Sequence, residues 1–358
     1  MADISSIDKA LAVNTAIGRD DVIWHDPTQK PFKMYGVRFE DGLYRRMPLE
    51  VAKTVNQGVE ELSINTAGGR ICFATDSDCV AISYRRPSLW KMPHMALAGS
   101  AGLNLYIRKE GKIVYYGSFI PNYGDPKGYE SIVNFETREM REIIIHMPLY
   151  CGVKSLEIGL QNDAKLEKWN GYKREDKPVV FYGSSITQGA SATTPATDYI
   201  SILSRRFDTD IWNLGFSGSA KGEQTMMDYI AGLDMSVFVY DYDHNAPNPE
   251  HLEKTHYAGY KRFRAKQPTT PIIMASKPDY YLETADYSIE DSEKRLRITE
   301  QTYLRAKAEG DENVYFIEGK SFYPDEIRGD CTSDGCHPND LGYHYMAEAF
   351  ANIIKKLL

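Results

Sequence analysis

The chain falls into two halves that differ in the spacing of their hydrophobic residues. From residue 22 to about residue 161, apolar and polar positions alternate in short runs separated by Gly, Pro and Asp turns. This alternation is typical of half-buried antiparallel strands, and many short strands of this kind favour a β-sandwich or jelly roll. The predicted strands are 22–24, 32–35, 71–74, 80–84, 103–107, 112–116, 141–146 and 153–160. Only residues 4–16 and 49–57 have a helical pattern in this half.

After Pro178 the period changes, and apolar strands alternate with amphipathic helices. Five such units predict a parallel, doubly wound α/β sheet. The predicted strand and helix pairs are 179–182 with 199–207, 211–214 with 223–231, 236–240 with 251–266, 271–275 with 288–309, and 314–317 with 340–358. The strongly polar stretch 161–178 is typical of a linker. We therefore predict two domains, a β-sandwich over residues 1–175 and an α/β domain over residues 176–358.

The strand at 179–182 runs into a turn of small and hydroxyl-bearing residues. Gly183 and Gly189 bracket this turn, and Ser184 and Ser185 lie inside it. In a doubly wound sheet, active-site residues collect beyond the carboxyl ends of the strands. A serine at this position can act as a nucleophile if a histidine takes its proton and if hydrogen-bond donors stabilise the oxyanion.

Three later loops supply those groups. Gly218 follows the second strand of the sheet, Asn245 follows the third, and the loop from Asp334 to His337 follows the fifth. His337 can abstract the proton of Ser185, and Asp334 can hold the other ring nitrogen of that histidine. The backbone N–H groups of Ser185 and Gly218, with the side-chain amide of Asn245, would form the oxyanion hole. The convergence of four segments on one sheet edge predicts a site for acyl transfer.

With these residues in place, the second half resembles the SGNH (GDSL-like) hydrolase family. Four blocks match in the family's order: Gly183-Ser184-Ser185 at the nucleophile, then Gly218, then Asn245, and Asp334 with His337. The resemblance covers about residues 177–358 and implies an SGNH-type, flavodoxin-like three-layer fold with Ser185 as nucleophile. A β-sandwich ahead of such a domain resembles the two-domain carbohydrate esterases.

Two positions depart from the family's pattern. Ser184 stands where the family usually has Asp, so a carboxylate that commonly braces the nucleophile loop is missing. Around Asn245 the usual Gly and final Asp of the third block are also absent, which leaves Asn248 as a weaker alternative. We therefore expect another group to brace the loop that carries Ser185.

The sequence predicts a serine esterase that removes O-acetyl groups from a carbohydrate through an acyl-enzyme, without a metal or a cofactor. The carbohydrate rests on the two-domain resemblance and on the 25 Tyr and 4 Trp residues, whose rings suit sugar faces. Most of these rings are better explained as core residues, and loop 88–95 is the one candidate for a substrate wall. The alternatives are a broad acyl-ester hydrolase or thioesterase, and a carbohydrate-binding protein with an inactive hydrolase domain.

The polar loops also allow two further interpretations. Asp241, Asp243 and His244 suggest a metal site, but no spaced set of further ligands supports it. Cys331 and Cys336 flank the catalytic loop and could form a disulfide or remain free thiols, and the sequence leaves their redox state open.

Composition and charge narrow the class of partner. A hydrophobic content of 42% and a charged content of 26% are those of an ordinary folded protein, and the net charge of −8, without a basic run, disfavours nucleic acid. No stretch approaches the roughly 20 apolar residues that a membrane span needs. The first residues lack a signal-peptide pattern, which predicts a cytoplasmic location, although a secreted chain without its leader would look the same. The expected partner is a small-molecule or oligosaccharide ester, and the oligomeric state is not indicated.

Overall fold

The N-terminal part of the computed structural model consists mainly of antiparallel strands; the structure describes residues 4–13, 16–90, 92–278 and 288–358. The strands are β1 (Val22–His25), β2 (Lys33–Tyr35), β3 (Arg38–Glu40), β4 (Leu43–Arg45), β5 (Arg70–Thr75), β6 (Cys79–Arg85), β7 (Leu103–Lys109), β8 (Lys112–Phe119), β9 (Gly128–Asn134), β10 (Arg141–His146), β11 (Ser155–Gln161) and β12 (Leu166–Glu167). Three short helices interrupt them: α1 (Leu49–Val55), α2 (Gln57–Leu62) and α3 (Leu97–Ala101). One sheet has the order β1-β11-β6-β9, a second has the order β12-β5-β10-β7-β8 with β2 paired to β5, and β3 and β4 form a hairpin.

The two antiparallel sheets share one hydrophobic core. Ile71 and Phe73 of β5 point into this core, whereas Cys72 between them faces a second cluster with Trp169 and Tyr172. Strand β5 is therefore buried at every position, because both faces of its sheet are covered. The prediction of antiparallel strands is confirmed, while the jelly-roll topology stays a prediction.

The C-terminal part is an α/β fold with a five-stranded parallel sheet, as predicted. Its strands are β13 (Arg174–Gly183), β14 (Thr209–Gly215), β15 (Val237–Asp241), β16 (Ile272–Ala275) and β17 (Val314–Ile317), in the order β14-β13-β15-β16-β17. Its helices are α4 (Ser185–Gln188), α5 (Tyr199–Phe207), α6 (Gln224–Ala231), α7 (Pro249–Lys266), α8 (Ile289–Ala308) and α9 (Asp340–Leu357). Numbered within this part, the strand order is 2-1-3-4-5, the flavodoxin-like order.

Helices cover both faces of the parallel sheet. On one face Val179 and Phe181 of β13 pack against α5 and α9, and on the other face Val180 and Tyr182 pack against α6 and α7. Apolar side chains on both faces explain why β13 ends in an uninterrupted hydrophobic run. Within the described residues, no helix is long and apolar enough to cross a membrane.

Several predicted elements differ from the structure. The predicted linker 161–178 instead contains β12 and the start of β13, and its Trp169 and Tyr172 are buried against Tyr35. The predicted N-terminal helix is reduced to the short 3-10 turns Ile4–Ser6 and Lys9–Leu11, and residues 14 and 15 lie outside the described part. The helical pattern at 49–57 spans two helices, because the Asn56 side chain caps α2 by accepting the N–H of Val59.

A buried ion pair joins the two parts of the molecule. Arg70 of β5 is fully buried and donates to the Asp210 carboxylate at 2.7 Å and to the Ile211 carbonyl at 2.8 Å, both on β14. Its other terminal nitrogen lies 3.0 Å from the hydroxyl of Ser204 on α5 and 3.2 Å from that of Tyr172. The antiparallel sheet is therefore anchored to the outer strand of the parallel sheet.

Candidate active site

The turn that carries Ser185 is fixed by the residues around it. A Cβ added to Gly183 would clash with the Thr187 hydroxyl and the Asp241 carbonyl oxygen, so the close approach of α4 and the neighbouring parallel strand β15 requires glycine there. Ser184 is the N-cap of α4, because its hydroxyl accepts the N–H of Ile186 at 3.1 Å. Gly189 ends the helix in the left-handed region, at φ 103°. The helix thus begins at Ser185, directly beyond the carboxyl end of the central strand.

The structure brings Ser185, His337 and Asp334 together in one hydrogen-bonded chain. Ser185 Oγ lies 2.9 Å from His337 Nε2, and His337 Nδ1 lies 2.7 Å from Asp334 Oδ2. The other oxygen of Asp334 accepts the backbone N–H groups of Cys336 at 2.9 Å and of His337 at 2.7 Å. Burial alone would raise the pKa of Asp334, but the bonds from the His337 backbone and ring outweigh it and lower that pKa below its usual value. The carboxylate is therefore charged and holds the imidazole ring.

Two of the three predicted oxyanion donors, Gly218 and Asn245, lie on neighbouring segments, and the third is the N–H of Ser185 at the start of α4. Gly218 is in the left-handed region at φ 65°, and its N–H has no partner among the described residues. Asn245 Nδ2 donates one of its two hydrogens to the Phe216 carbonyl at 2.8 Å and has no second acceptor in the described part of the chain. Asn248, the weaker alternative, is exposed and caps α7 by accepting the N–H of His251 at 2.8 Å. The geometry therefore favours Asn245 over Asn248.

A carboxyl group from the neighbouring strand lies beside residues 183–189, which we call the nucleophile turn. Asp241 at the end of β15 is buried, and its Oδ2 accepts the hydroxyl of Tyr199 at 3.1 Å and that of Thr187 at 3.4 Å. Burial and the nearby Asp243 raise the pKa of Asp241 well above its usual value. The sequence analysis missed this contact, and the only signal for it was the position of Asp241 at the end of an adjacent strand. Asp241 therefore contacts α4 through Thr187, while residue 184 itself is a serine and carries no carboxylate.

Side-chain amides tie this turn to the end of β14 and the residues that follow it. We call residues 213–218, which are the last three residues of β14 and the three after them, the oxyanion loop. Asn213 Nδ2 donates to the Thr187 carbonyl at 2.8 Å, while Asn213 Oδ1 accepts the N–H of Gly215 at 2.9 Å. Gln188 Oε1 accepts the N–H of Ser217 at 3.0 Å. The nucleophile turn and the oxyanion loop thus form one hydrogen-bonded unit.

The metal interpretation gains no support from the geometry. The part of the chain that the structure describes contains no group of three His, Cys, Asp or Glu side chains arranged to hold a metal. Asp243 accepts the backbone N–H of Lys277 at 3.0 Å, and His244 Nε2 lies 3.1 Å from the sulfur of Cys336. Burial, with the nearby positive charge of Lys277, lowers the pKa of His244 to about 3. Cys331 and Cys336 are both buried and are not disulfide-bonded to each other in the structure.

Loop 88–95 lies beside the segment that follows α4. Ser191 Oγ donates to the His94 carbonyl at 3.2 Å. Leu89, Trp90, Met92 and Pro93 line a cavity of about 200 Å³ together with Tyr123, whose ring is exposed. Lys91 lies outside the described residues. The predicted wall is thus a partly aromatic surface whose loop contacts the chain just after α4.

The chain belongs to the GDSL-like lipase/acylhydrolase family. The family model matches residues 176–355, and a second model, for the N-terminus of SGNH-type esterases, matches residues 22–166. The protein is therefore a carboxylic ester hydrolase, as the sequence predicted. No curated protein matches the chain.

Solved structures with the same fold span almost the whole chain. A protein from Bacteroides ovatus described as a GDSL-like lipase is 29% identical, with a TM-score of 0.83 over 94% of this chain and 98% of its own. The salicylyl-acyltransferase SsfX3 from a tetracycline biosynthetic pathway is 19% identical, with a TM-score of 0.75 over 95% of this chain and 98% of its own. The acetyl xylan esterase Est2A from the rumen bacterium Butyrivibrio proteoclasticus is 11% identical, with a TM-score of 0.58 over 94% and 98%.

Proposed function

We propose that the protein is a serine esterase that removes O-acetyl groups from a carbohydrate, with Ser185 as the nucleophile. The observation that carries this proposal is the chain of hydrogen bonds from Ser185 through His337 to Asp334, at 2.9 and 2.7 Å. Nucleophile, base and orienting carboxylate each lie within hydrogen-bond reach of the next, which is the arrangement that activates a serine hydroxyl.

The reaction proceeds in two halves. His337 takes the proton of Ser185 as the hydroxyl attacks the acetyl carbonyl, and Asp334 stabilises the imidazolium that forms. The N–H groups of Ser185 and Gly218 and the amide of Asn245 stabilise the negative oxygen of the tetrahedral intermediate. His337 then gives its proton to the sugar oxygen as the bond between that oxygen and the acetyl carbon breaks, so the sugar leaves as an alcohol and an acetyl-enzyme remains. A water molecule, deprotonated by His337, attacks this ester, and His337 returns the proton to Ser185 Oγ as acetate leaves.

The carbohydrate part of the proposal has two sources of support. One is the similarity in fold to an acetyl xylan esterase. The other is the pair of exposed rings, Trp90 and Tyr123, at the cavity of loop 88–95, a loop that contacts Ser191 just after α4. Flat amphipathic rings of this kind suit the apolar faces of sugars. Both observations favour an acetylated oligosaccharide over a long-chain lipid.

Acetate release from a panel of acetylated xylo- and manno-oligosaccharides tests the proposal, with p-nitrophenyl acetate, p-nitrophenyl octanoate and an acetyl thioester as comparison substrates. We expect release from at least one acetylated sugar and faster cleavage of acetyl than of octanoyl esters. A preference for octanoyl groups or for the thioester would contradict the deacetylase. Sugar binding without hydrolysis of any ester would contradict an esterase altogether.

A further inference from the structure

Arg46, directly after β4, is a buried arginine without a carboxylate partner. Its Nη1 donates to the carbonyls of Asn213, at 3.2 Å, and of Gly215, and its Nη2 donates to the Leu62 carbonyl at 2.9 Å. Only 4% of the residue is exposed, and no carboxylate within the described residues lies at ion-pair distance. Burial lowers the pKa of Arg46 to about 9, so the guanidinium keeps its charge at neutral pH. Burying a charge without a counter-charge lowers the stability of the fold, so we expect the contacts of Arg46 to have a compensating role.

Two of the three carbonyls that Arg46 holds belong to the oxyanion loop. The guanidinium also lies over the ring of Phe216, 4.5 Å from its centroid. Arg46 thus contacts the oxyanion loop at three of its residues, 213, 215 and 216, just before Gly218. Arg46 belongs to the N-terminal part of the chain, whereas Ser185 and its partners belong to the C-terminal part.

Two other N-terminal side chains contact the nucleophile turn and the residue that follows the oxyanion loop. Tyr150 donates its hydroxyl to the Ser185 carbonyl at 3.2 Å, and Asn56 Nδ2 donates to the Ser219 carbonyl at 2.9 Å. These are neutral hydrogen bonds, so Arg46 alone of the three brings a charge. In a water-poor interior, a fixed positive charge near the oxyanion loop favours negative charge on the substrate oxygen.

We propose that Arg46 is a positioning residue for catalysis, which fixes the oxyanion loop from the N-terminal part of the chain and so sets the direction of the Gly218 N–H. The inference rests on the proposed function, because it assumes that Gly218 stabilises the oxyanion. It gives the N-terminal part a role in the chemical step, separate from any contact with sugar. A misplacement of about 1 Å in such a donor is enough to cost roughly 10²-fold in rate.

The variants Arg46→Met and Arg46→Lys test this role, with Arg86→Met as a matched control. Arg86 is also buried, donates to the carbonyls of Asp125 and Pro126, and lies over the rings of Tyr84 and Tyr129, all within the N-terminal part. Removing either guanidinium therefore removes a similar set of contacts. Only Arg46 contacts the oxyanion loop.

For Arg46→Met on p-nitrophenyl acetate we expect kcat to fall by roughly 10²-fold with KM within about threefold of wild type. A boronic acid that forms a tetrahedral adduct on Ser185 should lose affinity by a similar factor. Arg46→Lys keeps the positive charge but loses the planar guanidinium group with its fixed N–H donors, so the fall in kcat should be smaller than for Arg46→Met. Arg86→Met should lower the unfolding midpoint and leave kcat and inhibitor affinity unchanged.

Circular dichroism and thermal unfolding first establish which variants fold. If Arg46→Met does not fold, the kinetics of Arg46→Lys decide the outcome. A folded Arg46 variant with kcat and boronic acid affinity within twofold of wild type would overturn the inference. So would an equal loss of kcat in Arg86→Met. If Ser185→Ala is inactive while Arg46→Met is fully active, the proposed function stands and only the role of Arg46 fails. An active Ser185→Ala variant would contradict both the proposed function and the role of Arg46.

Discussion

The two adjacent serines of the nucleophile turn have different roles, and single substitutions separate them. Ser185→Ala removes the nucleophile, so we expect kcat for acetate release to fall by at least ~10³-fold while the fold is kept. Ser184→Ala removes only the hydroxyl that accepts the N–H of Ile186, so it should cost about 1 kcal/mol of stability and change kcat by less than about tenfold. Steady-state kinetics and urea unfolding measure both. Equal inactivation by the two substitutions would contradict the assignment.

The two candidate asparagines can be distinguished in the same way. Asn245→Ala removes a donor beside the oxyanion loop and should lower kcat by about 10²- to 10³-fold with little change in stability. Asn248→Ala removes the cap of α7, so it should cost about 1 kcal/mol of stability and leave kcat unchanged. Kinetics and unfolding of both variants provide the measurement. The reverse pattern would assign the third block to Asn248.

At the scale of residues, the sequence predicted those whose type and spacing carry the chemistry. Ser185, Asp334 and His337 follow strand ends and have side chains that acyl transfer requires. Arg46 and Asp241 could not be found in this way, because their roles depend on what the fold buries them against. An arginine is usually exposed, and nothing near residue 46 in the sequence marks it as buried.

At the scale of elements, strong periodicity and clear caps decided which predictions were confirmed. Helix α5, with Asp198 as its N-cap, has the predicted bounds Tyr199–Phe207, and β17 has the predicted bounds Val314–Ile317. Strand β9 (Gly128–Asn134) was missed because it begins at a glycine and carries two adjacent polar residues, Glu130 and Ser131, which interrupt the alternation of apolar and polar positions. The linker prediction was wrong because Trp169 and Tyr172 are buried although the residues around them in the sequence are mostly charged. The high average charge of the stretch outweighed these two aromatic residues in the prediction.

Helix α7 contributes a pH-sensitive element to the core. His256 is buried and stacks on the rings of Tyr240 at 4.6 Å and Tyr242 at 5.7 Å, and neither ring nitrogen has a partner among the described residues. Burial lowers the pKa of His256 from 6.5 to about 3. The unfolded chain therefore binds a proton below pH 6.5 that the folded chain does not, so this histidine makes stability fall as the pH drops from 6.5 toward 3.

His256→Phe should keep the stack and remove this titration. We expect the loss of unfolding free energy between pH 6 and pH 4 to become shallower by up to about 1.4 kcal/mol per pH unit. Urea unfolding at intervals of pH, for wild type and variant, measures the slope. An unchanged slope would mean that His256 is protonated in the folded protein, and would contradict its burial as a neutral ring.

At the scale of the whole molecule, the two parts are interlocked rather than joined by a flexible linker. The outer face of the second antiparallel sheet packs on the C-terminal part through the cluster of Tyr35, Trp169 and Tyr172, which also includes Ala196. Arg70 then reaches across to Asp210 at the outer strand of the parallel sheet. The same arrangement lets Arg46 contact the oxyanion loop and Tyr150 contact the nucleophile turn. We therefore expect the two parts to unfold together.

Asp210→Ala tests this coupling. Removing the carboxylate leaves the fully buried Arg70 without its counter-charge, and breaking a buried pair in this way costs about 3–5 kcal/mol. The exposed pair of Arg262 and Asp228 provides the control, because Asp228→Ala should cost less than about 1 kcal/mol.

Circular dichroism and tryptophan fluorescence should both follow one urea transition in wild type, and Asp210→Ala should shift the two signals together to lower urea. Trp169 reports on the contact between the parts, and Trp212 reports on β14 itself. Replacing both partners, as in Arg70→Met with Asp210→Leu, removes the unpaired charge, so the double variant should be more stable than Asp210→Ala. Two separate transitions, with only one of them moved by Asp210→Ala, would show that the parts fold independently and that the ion pair is not what holds them together.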